Sequence, residues 1–175
     1  FRSRHILRAL EGAAVERVAV VGALPRPVRA EIAELGFDLL QVVGEPEAEA
    51  GPTPVLPAFF DDSELVARVE AWRRGASLGP ARPGSLRGTV NVDGAGGGGT
   101  GARADWSRAR RVAEGGPLTL SGGLRRENLE DAIRLVRPHA VDVCSGVESA
   151  PGVKSPNEMR AFVDEVRRVE ALLAE

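Results

Sequence analysis

Six brief apolar runs alternate along the chain with stretches whose apolar residues recur every three or four positions. Arg17–Val21 (RVAVV), Asp38–Val43 (DLLQVV), Thr53–Ala58 (TPVLPA), Thr89–Asp93 (TVNVD), Leu118–Leu120 (LTL) and Ala140–Cys144 (AVDVC) are short and largely uninterrupted. That is the pattern of strands covered on both faces. The intervening stretches predict helices at Val28–Leu35, Glu64–Arg74, Ser107–Val112, Asn128–Val136 and Pro156–Leu173. In the second of these, Leu65, Val66, Val69 and Trp72 share one side. Gly36 stands where a helix stops, Asp61-Asp62-Ser63 where one is capped, and Ser155-Pro156 where one starts. Strand–helix alternation of this kind predicts a parallel α/β fold of six units. Pro54 and Pro57 fit poorly in a central strand, because proline donates no ladder hydrogen bond.

Composition narrows the class. With 175 residues, 43% of them apolar, the chain suits a single domain over residues 1–175 with a substantial core. A net charge of −2, from 23 basic and 25 acidic residues, gives no basis for a nucleic acid or an anionic membrane as partner. No apolar run approaches the roughly 18–20 residues that span a bilayer, and the given sequence does not start with a charged n-region followed by an apolar h-region. The lone cysteine, Cys144, excludes an internal disulfide, so a cytoplasmic location is expected. Two histidines and one cysteine make no zinc-type cluster, and no metal or cofactor is expected. The first residue is Phe1 rather than Met, which suggests a processed or incomplete start.

The chemistry concentrates at strand ends. Two consecutive strands end in bare-backbone turns, Ser121-Gly122-Gly123 and Cys144-Ser145-Gly146. One Gly-Gly turn is ordinarily just a turn. Two of them side by side, at the ends of neighbouring parallel strands, form a cradle whose main chain can approach a phosphate closely. Gly122, Gly123, Ser145 and Gly146 are therefore the expected phosphate-binding residues. Asp93 ends another strand before a glycine-rich run; the plain alternative is a turn former bonded to its own backbone. Asp142 sits among apolar neighbours, where it must bond either a ligand or backbone N–H groups.

Several segments resemble one family in order along the chain. These are Leu39–Glu45 (LLQVVGE), Val90–Asp93 (VNVD) with Gly97–Gly101 (GGGTG) and Ala104-Asp105-Trp106, and the run from Leu120 to Pro156. They resemble phosphoribosylanthranilate isomerase, over roughly residues 15–170. The resemblance implies a (βα)8 TIM barrel, of which this chain carries about six βα units, strands 3 to 8. It implies the Amadori rearrangement of N-(5′-phosphoribosyl)anthranilate to 1-(2-carboxyphenylamino)-1-deoxyribulose 5-phosphate in tryptophan biosynthesis. That aldose–ketose isomerisation needs an acid at the ring oxygen and a base at C2. By the same resemblance Asp93 is the acid, Asp142 and Arg4 bind substrate, and the small phosphoribosyl molecule is the partner of a monomer or homodimer.

Two departures accompany the match. The family's basic cysteine lies in a KICG-like first strand that this chain does not contain. Cys144 sits instead in the last strand's loop and is expected to be a small buried residue there. Val43 stands where the family often has histidine. The first strand, first helix and most of the second strand are expected to be absent from this sequence, so that Val18–Val21 forms a sheet edge. The opposite expectation is a six-stranded sheet closed by a direct Val18–Val21 to Ala140–Cys144 ladder. Alternatives to the isomerase are a non-catalytic phosphosugar-binding paralogue and a related phosphosugar isomerase. Arg4 has its own alternative, a solvated charge on a helix. Phe59-Phe60, Trp72 and Trp106 are expected to pack in the core; by the resemblance, the alternative for Phe59-Phe60 is to wall the anthranilate ring.

Overall fold

The structure, a computed structural model, describes residues 2–22, 31–32, 34–44, 53–76, 84–95 and 103–174. Helix α1 (Arg2–Ala9) leads into β1 (Val18–Val21), β2 (Leu39–Val43), β3 (Val55–Phe60), α2 (Leu65–Gly75) and β4 (Val90–Asp93). Then come α3 (Trp106–Glu114), β5 (Leu118–Leu120), α4 (Arg126–Val136), β6 (Ala140–Val141) and a 3-10 turn (Ser145–Val147). A small hairpin, β7 (Glu148–Ala150) and β8 (Val153–Lys154), precedes α5 (Pro156–Leu173). The predicted helix at Val28–Leu35 and the glycine run Gly97–Gly101 lie largely or wholly outside the described residues.

Strands β1 to β6 pair in sequence order, every pair parallel, in one curled sheet that makes a half-barrel. Register divides the side chains cleanly. Phe59, Val90, Val92, Leu118 and Leu120 are buried against α2, α3 and α4 in the main core. A smaller cluster, Ala19, Val21, Leu40 and Val42, packs with Ile32 and Phe37. The alternate residues line the concave face: Val20, Gln41, Val43, Leu56, Ala58 and Phe60 on β1 to β3, then Thr89, Asn91, Asp93, Thr119, Ser121 and Asp142 on or next to β4 to β6. The concave face is thus apolar on one half, apart from Gln41, and largely polar on the other. No ladder joins β1 to β6 among the described residues, so these are the sheet's edges, and Val20 is 64% exposed on the open concave side.

Pro57 is accommodated inside β3 for a topological reason. In a parallel ladder alternate residues face opposite neighbours. Pro54 and Ala58 offer their carbonyls to β2, so Pro57 faces β4, and that ladder begins only at Ala58. The last strand is shorter than its sequence suggests: β6 stops at Val141, and the chain turns into the 3-10 segment and the β7–β8 hairpin, neither of which the apolar pattern announces. Helix α1 is the helix that the alternative for Arg4 required.

Caps follow their residues. Asp105 accepts from the Ser107 and Arg108 N–H groups at the start of α3, and Ser155 accepts from Glu158 at the start of α5. Asp62 accepts from the Glu64 N–H just before α2. Arg73 supplies an end cap from another helix. Its guanidinium donates to the Val112 carbonyl at the close of α3 and to Pro117, across the small residues Gly115 and Gly116. Phe59 and Trp72 meet edge to face at 6.3 Å, and Trp106 packs on the core beneath Arg103, so all three are packing residues.

Arg17 and Asp38 lock β1 to β2 with a bidentate pair at 2.8 and 3.1 Å, and the Arg17 N–H donates to the same carboxylate. These bonds hold the Asp38 carboxyl at about 2, below its ordinary value of 3.8. A depressed carboxyl stabilises the fold above its unfolded value and ceases to do so as pH falls through its folded value. The melting temperature is therefore expected to drop as pH is lowered from 4 to 2, and Asp38→Asn to flatten that limb. An unchanged slope in the variant, read by circular dichroism, would show that other carboxylates carry it.

Candidate active site

The functional residues gather at the carboxyl ends of β4, β5 and β6, where parallel strands release their chains into loops. Asp93 closes β4, half-buried on the concave face, with Oδ1 accepting from the Gly94 N–H at 2.8 Å. Burial pushes its carboxyl upward, the Gly94 hydrogen bond partly opposes this, and the negative charge of Asp142 adds to the rise. So the turn-former geometry is present, and it coexists with a carboxyl biased toward holding its proton.

Gly122 and Gly123 follow β5 with φ of +85° and +64°, the left-handed conformation that glycine adopts freely. A Cβ on Gly122 would stand 2.3 Å from the Gly94 nitrogen and 3.1 Å from Asp93 Oδ1. The β5 turn therefore presses its bare backbone against the turn that carries Asp93. No described residue accepts a hydrogen bond from the Gly122 or Gly123 N–H. Asn128 secures this turn: its Nδ2 donates to the Gly123 carbonyl, and its Oδ1 accepts from the Arg125 N–H.

The loop after β6 abuts the same turn. A Cβ on Gly146 would fall 1.9 Å from the carbonyl oxygen of Leu124, the residue that follows the Gly122-Gly123 turn, so the two loops approach backbone to backbone. Gly122, Gly123, Ser145 and Gly146 thus lie together, as a shared anion cradle requires. Asp142 stands just past β6, exposed on the open concave side, its N–H donating to Leu120. It accepts from a hydroxyl rather than from backbone amides: Ser121 Oγ lies 3.0 Å from Oδ2.

Three expected placements change. Arg4 is exposed on α1, beside Leu7, Glu11 and Arg17 at the amino end of β1, the end opposite to Asp93. The structure does not bring it to the cluster, and it is the solvated helix charge. Cys144 is exposed rather than buried, with Lys154 Nζ 3.3 Å from its sulfur and 2.8 Å from Glu148. Asp142 is not enclosed by apolar neighbours, because β6 ends before it.

Several residues of the site went unnoticed in the sequence. Asp61, buried at the end of β3, takes a bidentate Arg108 and the Asp105 N–H, and its own N–H donates to the Asp93 carbonyl. This clamp fixes the segment entering α3 beside Asp93. Its sequence signal was the adjacent acidic pair, read only as a helix cap. Asn91 was visible only as a polar letter within an apolar strand, and Ser121 only as the first residue of a small-residue turn.

Comparison with known proteins decides the family. The family model for N-(5′-phosphoribosyl)anthranilate (PRA) isomerase matches residues 83–165, which include Asp93, both glycine turns and Asp142. A relative from Syntrophus aciditrophicus (strain SB), named N-(5′-phosphoribosyl)anthranilate isomerase, is 35% identical over 98% of this chain and 72% of its own length. The chain belongs to the PRA isomerase family. The crystal structure of phosphoribosyl anthranilate isomerase from Thermus thermophilus superposes with a TM-score of 0.72 at 32% identity, over 95% of this chain and 79% of that one. A PRA isomerase solved with reduced 1-(o-carboxyphenylamino)-1-deoxyribulose 5-phosphate (rCdRP) superposes at 0.74 with 27% identity, over 94% of this chain and 77% of that one. These superpositions carry the TIM-barrel assignment. Among the described residues no helix is long and apolar enough to cross a membrane.

Proposed function

We propose that this chain isomerises N-(5′-phosphoribosyl)anthranilate to 1-(2-carboxyphenylamino)-1-deoxyribulose 5-phosphate, with Asp93 as general acid. The observation that carries this is the close backbone approach of the two loops, Gly146 against Leu124, next to a half-buried carboxyl whose burial biases it toward the protonated form. The cradle anchors the 5′-phosphate by main-chain N–H groups. Anchoring one end fixes the ribose ring over the concave face, so that Asp93 meets the ring oxygen. Donation of its proton there opens the ring to an iminium; a general base, the part the resemblance gives to the cysteine of a KICG-like strand not in this sequence, then takes the C2 proton to give the enol-amine that becomes the aminoketose. Asp142 faces the aminophenyl end of the molecule. The half-apolar concave face, with Phe60 opposite Asp93 in register, suits an aromatic ring beside a polar sugar.

The rCdRP complex of a relative supplies the probe. Calorimetry with rCdRP is expected to show binding that inorganic phosphate competes away, and incubation with substrate is expected to yield the aminoketose. Binding without turnover would favour a non-catalytic phosphosugar-binding protein. Absence of both would remove the proposal.

A further inference from the structure

The concave face contains a buried polar chain that neither the cradle nor Asp93 explains. Asn91 and Ser121 project from neighbouring strands, 1% and 4% exposed. Ser121 Oγ lies 2.9 Å from Asn91 Oδ1 and 3.0 Å from Asp142 Oδ2. A hydroxyl has one proton and cannot donate to both oxygens. At the same time Asn91 Nδ2 is buried without a partner. Turning the amide by half a turn, which exchanges two atoms of nearly equal shape, removes the double donation and gives Nδ2 a partner, with the amide oxygen taking the place that Nδ2 had. Nδ2 then donates to Ser121 Oγ, and the hydroxyl proton goes to Asp142. The chain acquires a direction: amide to hydroxyl to carboxylate.

Placing an amide and a hydroxyl in a sheet interior costs stability unless each is satisfied, and an apolar pair would pack there without that demand. The group at the end of the chain is the reason to accept it. Asp142 follows a two-residue strand and faces open space, where an untethered side chain would distribute over its χ1 wells. Tethered through Oδ2, it presents Oδ1 in one place, and no described residue bonds Oδ1.

We propose that Asn91 and Ser121 are positioning residues, a buried relay that fixes the Asp142 carboxylate on the concave face with one oxygen held and the other offered to ligand. The identity of that ligand rests on the isomerase function proposed above; the relay does not. An organic ligand that reaches past the phosphate cradle depends on it, whereas inorganic phosphate, held by the cradle alone, does not.

Three-bond N–Cγ and C′–Cγ couplings of Asp142, measured by NMR on the whole chain, report its χ1 directly. The wild type and Ser121→Thr, which keeps the hydroxyl, are expected to show one rotamer. Ser121→Ala is expected to show averaging, and Asn91→Ala partial averaging. The double variant is expected to match Ser121→Ala, because a relay has a single path. Affinity for rCdRP is expected to fall roughly tenfold in Ser121→Ala, to recover in Ser121→Thr, and phosphate affinity to stay unchanged. An averaged wild type, or one rotamer retained in folded Ser121→Ala, would overturn the proposal. Should Ser121→Ala not fold, retention of the wild-type couplings by Asn91→Ala overturns it equally. Couplings as expected in a chain that does not bind rCdRP would leave the relay standing and remove the isomerase.

Discussion

Asp93→Asn is expected to lower isomerase turnover by about a hundredfold or more, the usual worth of a positioned general acid. The amide keeps the shape and the neighbours of the carboxyl but has no proton to give. Binding of rCdRP is expected to persist, because the cradle and Asp142 are untouched. The same variant should not lose stability. Burial raises the Asp93 carboxyl above its ordinary range. A group raised in the folded state favours folding when protonated, and that benefit is lost as pH rises through its folded value. Near neutrality the ionised carboxyl is thus a burden on the fold, so the amide variant should melt at or above the wild-type temperature. In the wild type, activity should decline as pH rises through the Asp93 titration, and the variant should lack that limb. Retention of more than about a tenth of wild-type turnover would show that Asp93 is not the acid.

Gly146→Ala carries the second large effect. Its new methyl would stand 1.9 Å from the Leu124 oxygen and 3.0 Å from the Leu124 carbon. Both are backbone atoms, so no side-chain rotation relieves the clash, and the two turns must separate. The expected result is a loss of about 1–3 kcal/mol in stability, the usual cost of overpacking, together with loss of measurable phosphate and rCdRP binding. Gly75→Ala provides the contrast: a Cβ there meets nothing within 4 Å, at the end of a helix. It is expected to be neutral or slightly stabilising. Equal melting temperatures and equal phosphate affinity for Gly146→Ala and the wild type would mean that the turns do not need their contact.

The alternation of apolar runs and helical periods determined most of this protein. Buried parallel strands need side chains that tolerate cover on both faces, and the helices between them need one apolar stripe. Those demands are written locally, so β5 and α5 match their predicted bounds and the parallel order followed. The glycine turns were equally legible, because glycine takes the positive φ of Gly122 and Gly123 without strain, and only a missing Cβ admits Leu124 beside Gly146.

Elsewhere the decision lay between segments distant in sequence. Pro57 belongs to a strand because of which neighbour its missing N–H would have faced. The run Ala140–Cys144 is as apolar as any strand, yet pairing ends at Val141 and leaves Asp142 in the open. Arg4 went to the far end of β1 because α1 packs there, and no motif spacing records that. Asn91 and Ser121 are 30 residues apart and 2.9 Å from each other. Their meaning depends on sheet register, which the chain acquires only when β4, β5 and the end of β6 lie side by side.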